Sequence, residues 1–168
     1  MTKYLKIAAV AAVALATTPA FAAPVAPSNG NPTASARIIK PLTFTVSGSL
    51  DFGTIVMNNV TANQNVDLAA NGTLSCGAQL VCGATGTVPT YNVAGTQGQT
   101  VNIIKTASTL TGSNGGSLTL TPVGAASVVL GNSGAPGTDF NIGGSLTLTP
   151  TTQDGVYTGT VDVKVDYN

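Results

Sequence analysis

The sequence predicts an all-β protein, a β-sandwich that follows a cleaved signal peptide. Two observations predict the sandwich. Apolar and polar residues alternate with a period of two in many short segments, and Gly, Asn, Ser and Pro separate these segments. No segment after residue 22 has helical periodicity, and β-branched residues and glycine dominate instead. A third observation, the layout of the first 22 residues, predicts the signal peptide.

The first 22 of the 168 residues have the three parts of a secretory signal peptide. Lys3 and Lys6 are basic, the uncharged apolar run 7–16 follows, and the run 20–22 supplies small residues for a signal peptidase. The apolar run is too short to cross a bilayer. We therefore expect cleavage after Ala22, export, and no transmembrane anchor. The remainder has the length of one domain.

The residue types exclude several function classes. The chain has no His, no Trp and no Glu, so the commonest general base and metal ligand is absent. Its few bases form no patch for a nucleic-acid backbone. Asp162 and Asp166 flank Lys164 on the polar side of one predicted strand, where charge keeps a strand soluble. We expect no enzyme, no metal, no cofactor and no nucleic-acid partner.

Residues 23–33 are rich in Pro, Asn and Gly and predict a flexible lead. A single sandwich domain is expected over residues 34–168, and it begins with an alternating strand over 34–46. Pro41 cannot donate a ladder hydrogen bond, so this strand belongs at a sheet edge. The apolar side of the strand contains Ala36, Ile38, Leu42 and Phe44, and also Lys40.

The next elements surround the two cysteines. A strand over 50–56 with Leu50 and Phe52 inward precedes a further strand that starts at residue 66. Cys76 and Cys82 are the only thiols, and two Cys in an exported chain predict a disulfide. The closed loop is short, so the disulfide stabilises by about 2 kcal/mol. A zinc site needs more ligands, and a redox motif has a shorter spacing.

The second half of the chain contains further strands, over 88–94, 100–105 and 125–130. The octapeptide Gly-Gly-Ser-Leu-Thr-Leu-Thr-Pro occurs at 115–122 and again at 143–150. Its flanks do not match, which favours two similar strands over a tandem repeat. Their leucines are expected to face the core, and these are Leu118, Leu120, Leu146 and Leu148.

The last predicted strand alternates without a break from Tyr157 to Tyr167. No later segment covers its open edge, and an open apolar edge needs a partner. The strand over 34–46 could be donated to the next copy by β-augmentation. Donor and acceptor differ, so this contact is head-to-tail and generates open filaments. Alternatively, residues 34–46 fold back and complete their own sandwich, and the spacing leaves both hypotheses open.

Two motifs mark a resemblance to a known family. One is Leu-Asp-Phe-Gly-Thr at 50–54, and the other is the ending 155–168, with glycines, alternating valines and the penultimate Tyr167. The chain resembles bacterial chaperone–usher pilins, in particular the archaic class with the spore-coat-U-like subunits. It also resembles an exported family known as a domain of unknown function. The resemblance implies an incomplete immunoglobulin-like sandwich that a donor strand completes.

The resemblance also implies partners and site residues. A periplasmic chaperone and an outer-membrane usher would handle the subunit in the periplasm, before it joins a fibre at the cell surface. The implied donor side chains are Ala36, Ile38, Leu42 and Phe44. The implied acceptor side chains are Tyr157, Val161, Val163, Val165 and Tyr167. Lys40 and Pro41 depart from the donor pattern, and the cysteine pair is local.

The expected function is therefore a structural subunit of a surface fibre, pilus- or fimbria-like, that assembles by donor-strand exchange with copies of itself or related subunits. The alternative is a self-complemented secreted binding module or adhesin for a surface carbohydrate or protein.

Overall fold

The computed structural model describes residues 23–83 and 85–168, so the predicted signal peptide lies outside the described residues. The chain divides into two units, residues 1–37 and 38–168. In the first unit, residues 23–37 are exposed and form no strand, and one turn closes where the Gly30 amide donates to the Pro27 carbonyl. The second unit contains all the strands that the structure describes.

The second unit is all-β, and its strands pair antiparallel. The strands are β1 Thr43–Ser47, β2 Ile55–Met57, β3 Gln64–Leu68, β4 Leu74–Cys76, β5 Leu80–Cys82, β6 Thr90–Ala94, β7 Thr100–Thr106, β8 Ser108–Gly112, β9 Ser117–Val123, β10 Ser127–Val129, β11 Thr138–Asn141, β12 Gly143–Leu148, β13 Tyr157–Thr158 and β14 Asp162–Tyr167. They form a six-stranded sheet in the order β13-β8-β9-β12-β3-β4, two three-stranded sheets in the orders β1-β6-β11 and β10-β7-β14, and the pair β2-β5. The predicted β-sandwich is confirmed.

The repeated octapeptide supplies two neighbouring strands at the centre of the largest sheet. β9 and β12 pair antiparallel, with Leu120 opposite Leu146. Their leucines are buried and the threonines between them face out, as the period of a strand requires. The prediction of two core strands is confirmed.

The apolar core has three regions, and the third consists of Val93, Val101 and Leu130. The first, the leucine core, lies under the six-stranded sheet, and its buried members are Phe52, Val66, Leu68, Leu80, Leu110, Leu118, Leu120, Leu146 and Leu148. The second, the aromatic core, surrounds the stacked rings of Phe44, Tyr91 and Phe140, whose neighbouring centroids are 5.4–6.1 Å apart. Burial raises the pKa of Tyr91, because the ionised phenolate loses its hydration there.

The predicted disulfide between Cys76 and Cys82 is present. It links β4, at the edge of the six-stranded sheet, to β5, the partner of β2. Both cysteines also pack against the leucine core. The disulfide therefore joins two sheets as well as closing a loop.

The predicted first strand, residues 34–46, was too long. The strand begins only at Thr43, because the backbone of Lys40 is used otherwise and Pro41 has no amide hydrogen to donate. The Lys40 amide donates to Thr96 Oγ1, and its carbonyl accepts from the Tyr167 hydroxyl. β1 lies at the edge of its sheet, which confirms that part of the prediction.

The predicted last strand is not continuous either. β13 pairs with β8, β14 pairs with β7, and residues 159–161 cross between the two sheets. At Gly159 an added Cβ would lie 2.7 Å from both the Leu110 Cδ2 and the Thr109 carbonyl oxygen. The strand therefore changes sheet at a residue without a side chain.

Candidate functional site

An open groove of about 1060 Å³ lies in the second unit. One wall, wall A, consists of residues 50–57, which contain the first resemblance motif and β2. The other, wall B, consists of residues 152–159 with Val161, and it contains β13. The groove therefore separates two chain segments that are about a hundred residues apart in sequence.

The floor of the groove is the leucine core itself. The floor residues are Leu110, Leu118, Leu120, Leu146 and Leu148, together with the Phe52 ring at the foot of wall A, and each is at most 9% exposed. At the walls the apolar surface is open: Val56 is 53% exposed and Val156 69%. A cleft with an apolar floor between two walls of mixed polarity is suited to an extended segment that directs apolar side chains at the floor.

The backbone hydrogen bonds of both walls run away from the groove. Wall A bonds to residues 79–87, through the β2–β5 pair, the Asp51–Thr87 bridge and the bonds of Thr54 and Asn58. Wall B bonds to residues 111–113, through the β13–β8 pair and the bond from the Ser113 amide to the Val156 carbonyl. Each wall therefore presents a strand edge to the groove, as an acceptor of an added strand would.

Two features hold wall A against the sheet. The disulfide ties β5, and through β5 the paired strand β2, to the edge of the six-stranded sheet. Gly144 in β12 lets wall A approach closely, since an added Cβ would lie 3.0 Å from Leu50 Cδ2 and 3.1 Å from Phe52 Cζ. A side chain at position 144 would push wall A outward.

The predicted acceptor residues divide into two groups. Tyr157 and Val161 line the groove. Val163, Val165 and Tyr167 are half-buried against the aromatic core and its neighbours Val93, Val101 and Leu130. The structure therefore brings only the first two to the groove, because the chain changes sheet between them and β14.

Tyr167 has a different place from the predicted one. Its hydroxyl donates to the Lys40 carbonyl at 2.7 Å and accepts from the Thr96 amide at 2.9 Å. Together with the bond from the Lys40 amide to Thr96 Oγ1 at 2.7 Å, these contacts fix the backbone at Lys40. We call this group of Lys40, Thr96 and Tyr167 the tyrosine clamp.

The predicted donor residues lie on both sides of the clamp. Ala36 is exposed, and Ile38 is 89% exposed. Leu42 and Phe44, after the clamp, pack into the core of their own domain, and Phe44 stacks on Tyr91 with centroids 5.4 Å apart. The residues before Lys40 therefore have no contacts with the core of their own domain.

Wall A and the leucines of the floor were not predicted as site residues. Alternation indicated that Phe52, Leu118, Leu120, Leu146 and Leu148 point inward, and this is correct. Leu110 lies on β8, a strand that the sequence did not predict. Alternation contains no information on whether another strand covers them. The one signal was the motif at 50–54, which forms part of wall A.

The described residues include no group of three or more His, Cys, Asp or Glu side chains placed to hold a metal ion. In the same part of the chain, no helix has the length and apolar character needed to cross a membrane.

The comparisons with known proteins give one match. The model of a family described as Domain of unknown function (DUF4402) matches residues 42–167. No curated protein matches the chain, and no solved structure matches it. The matched range begins just after the clamp residue Lys40 and includes both walls of the groove.

Proposed function

The chain belongs to the family described as Domain of unknown function (DUF4402), and we propose that it is a non-catalytic structural subunit of a surface fibre. In this proposal the groove of one copy receives an extended segment of the next copy. The subunit is exported, passes the periplasm with a chaperone and an outer-membrane usher, and ends in a pilus- or fimbria-like polymer.

The observation that supports this proposal most is the open groove between two strand edges. Wall A and wall B both direct their hydrogen bonds away from it, and its floor is the leucine core. A strand inserted there would pair with both edges and place its side chains over the floor. The resemblance to archaic chaperone–usher pilins favours the same kind of partner.

The segment best suited to fill the groove of a neighbour is residues 23–39, which we call the arm. It precedes the clamp, and its described residues are exposed. Ala34, Ala36 and Ile38 alternate with Ser35, Arg37 and Ile39, so an extended arm presents one row of small and branched apolar side chains. Leu42 and Phe44 then stay in their own domain and anchor the arm.

A second function is favoured by the same two residues. Leu42 and Phe44 belong to the predicted donor strand, yet they fold onto their own domain. A chain that completes itself would be a secreted binding module or adhesin. This alternative predicts a stable monomer, whereas the fibre proposal predicts a polymer.

The proposal is tested with the chain that begins at Ala23. We expect this chain to form filaments, visible by electron microscopy and by size-exclusion chromatography. Deletion of residues 23–39 is expected to abolish filament formation while β1 and the clamp remain. Filaments formed equally well by the deletion variant would contradict the proposal.

A matched pair of point variants tests the same step in the complete arm. Ile38→Asp places a carboxylate on the row that faces the floor, and we expect no filaments because an unpaired charge cannot be buried there. Ile39→Asp is the control, since the same change lies on the opposite side of the extended arm. Equal loss of filament formation in both variants would contradict insertion with Ile38 facing the floor.

A further inference from the structure

We propose that the groove selects its occupant by charge, and that Arg37 in the arm of a neighbouring copy is recognised by the carboxylates of Asp51 and Asp154. This inference rests on the proposed fibre function. It goes beyond it by naming a specificity determinant on each partner.

The charged residues that line the groove are all acidic. Asp51 lies on wall A and Asp154 on wall B, and no Lys or Arg is part of either wall. Both residues are exposed. Asp51 Oδ1 accepts from the Gly53 amide at 2.8 Å, and Asp154 Oδ2 accepts from Asn114 Nδ2 at 3.3 Å. These bonds orient one oxygen of each carboxylate and leave the other oxygen for an incoming base.

The arm has the opposite charge. Arg37 is its one charged side chain, and the arm contains no acid. The arginine is exposed in the structure. An acidic groove and a basic segment of the same chain are therefore complementary between copies.

Alternation places Arg37 and Asp51 on the same side. When Ile38 points to the floor, Arg37 points outward. On wall A, Leu50 and Phe52 point inward and Asp51 lies between them, so it also points outward. Side chains on one face of adjacent strands approach within about 5 Å at the Cβ atoms, and a guanidinium spans the remaining distance.

Exposed ion pairs add little to affinity, but they affect association rates and the choice of partner. An acidic segment would meet two carboxylates of the same sign and be disfavoured. The attraction between Arg37 and the two carboxylates therefore determines which segment enters the groove and how fast it enters. The apolar side chains of the arm then keep the segment bound.

The test is a charge exchange in the full chain that begins at Ala23, with filament growth followed by light scattering. The variants are R37E, D51K/D154K and R37E/D51K/D154K. At an ionic strength of about 20 mM, we expect each of the first two to slow growth roughly tenfold and the combined variant to recover most of the lost rate. At about 0.5 M salt the rates should converge, because screening shortens the range of the charges.

The matched control is K164E, which has the same change of charge as R37E. Lys164 lies on β14, 3.6 Å from Asp162, and does not line the groove. K164E should grow like the unchanged chain. If R37E also does, or if the combined variant grows no faster than R37E, the inference is overturned while the fibre proposal stands. If the unchanged chain stays monomeric, both are overturned.

Discussion

Alternation predicted the side of the strand on which the Tyr167 ring lies, but not the contacts of its hydroxyl. The alternation of the last strand correctly assigned its ring to the inner side, where it packs near Val101 and Leu130. The pattern could not predict the hydrogen-bond partners of its hydroxyl, because these are the backbone groups of Lys40 and Thr96, which are distant in sequence. Gly95 accommodates the hydroxyl, since a Cβ there would clash with it.

We expect Tyr167→Phe to loosen the start of the domain. The change removes two hydrogen bonds of the tyrosine clamp and leaves the ring in place, so the free energy of unfolding should fall by about 1–2 kcal/mol. Hydrogen exchange should become faster at the amides of Lys40 and Thr96. The measurement is amide exchange followed by NMR, together with urea unfolding.

Tyr157→Phe serves as the control for the clamp. Its hydroxyl donates to the Gln153 carbonyl at 2.8 Å on wall B, away from the clamp. This variant should leave exchange at Lys40 unchanged. Unchanged exchange at Lys40 in Tyr167→Phe as well would show that the hydroxyl does not fix the arm.

At the scale of elements, alternation predicted strands well where both faces have defined partners. The octapeptides became β9 and β12, and β7 matches its predicted range within one residue. The same rule failed over residues 34–42 and 50–54, where no strand is present, because alternation describes side chains and a strand also needs a neighbouring backbone with which to pair. It failed at 159–161 for a related reason, since the side chains continue their alternation while the backbone changes partner.

We expect loss of the disulfide to affect wall A more than the rest of the molecule. The double change Cys76→Ser and Cys82→Ser should lower the free energy of unfolding by about 2 kcal/mol. The effect is small because the two cysteines are only 6 residues apart, so the disulfide closes a short loop. Exchange of the β2 amides should increase beyond the global change, because β5 is the only strand with which β2 pairs in the described residues. Urea unfolding and residue-level exchange measure the two effects.

The repeated strands provide the reference for this experiment. β9 and β12 lie at the centre of the six-stranded sheet, away from the disulfide at its edge. Their amides should report only the global loss. An equal increase in β2 and β9 would mean that the disulfide stabilises the whole unit and does not hold wall A in particular.

At the scale of the whole molecule, the sequence predicted the class of fold, the disulfide and part of the core, namely Phe52 and the leucines of β9 and β12. It did not predict the groove. A groove is a gap between segments that are distant in sequence, here 50–57 and 152–161, and no periodicity within either segment reports on the space between them. The resemblance motifs came nearer, since both include wall residues, but they placed Val163, Val165 and Tyr167 in the site as well.

We expect the thermal stability of the chain that begins at Ala23 to increase with protein concentration. Only the folded chain has the groove that would bind a neighbour's arm, so mass action stabilises the fold. A tenfold increase in concentration corresponds to at most about 1.4 kcal/mol, or a few degrees in Tm. Scanning calorimetry at several concentrations measures this. Ile38→Asp is the control, and its Tm should not depend on protein concentration. A Tm of the unchanged chain that is also independent of concentration would favour the self-complemented module.

The tyrosine clamp has a mechanical consequence for a fibre. It anchors the arm at the end of β14, whereas the groove that would hold a neighbour's arm reaches Val161, the residue before the same strand. Tension along the fibre would enter a subunit at one end of β14 and leave at the other. The β14–β7 ladder would then be loaded along its strands, in shear, so that its hydrogen bonds resist together and do not open one after another.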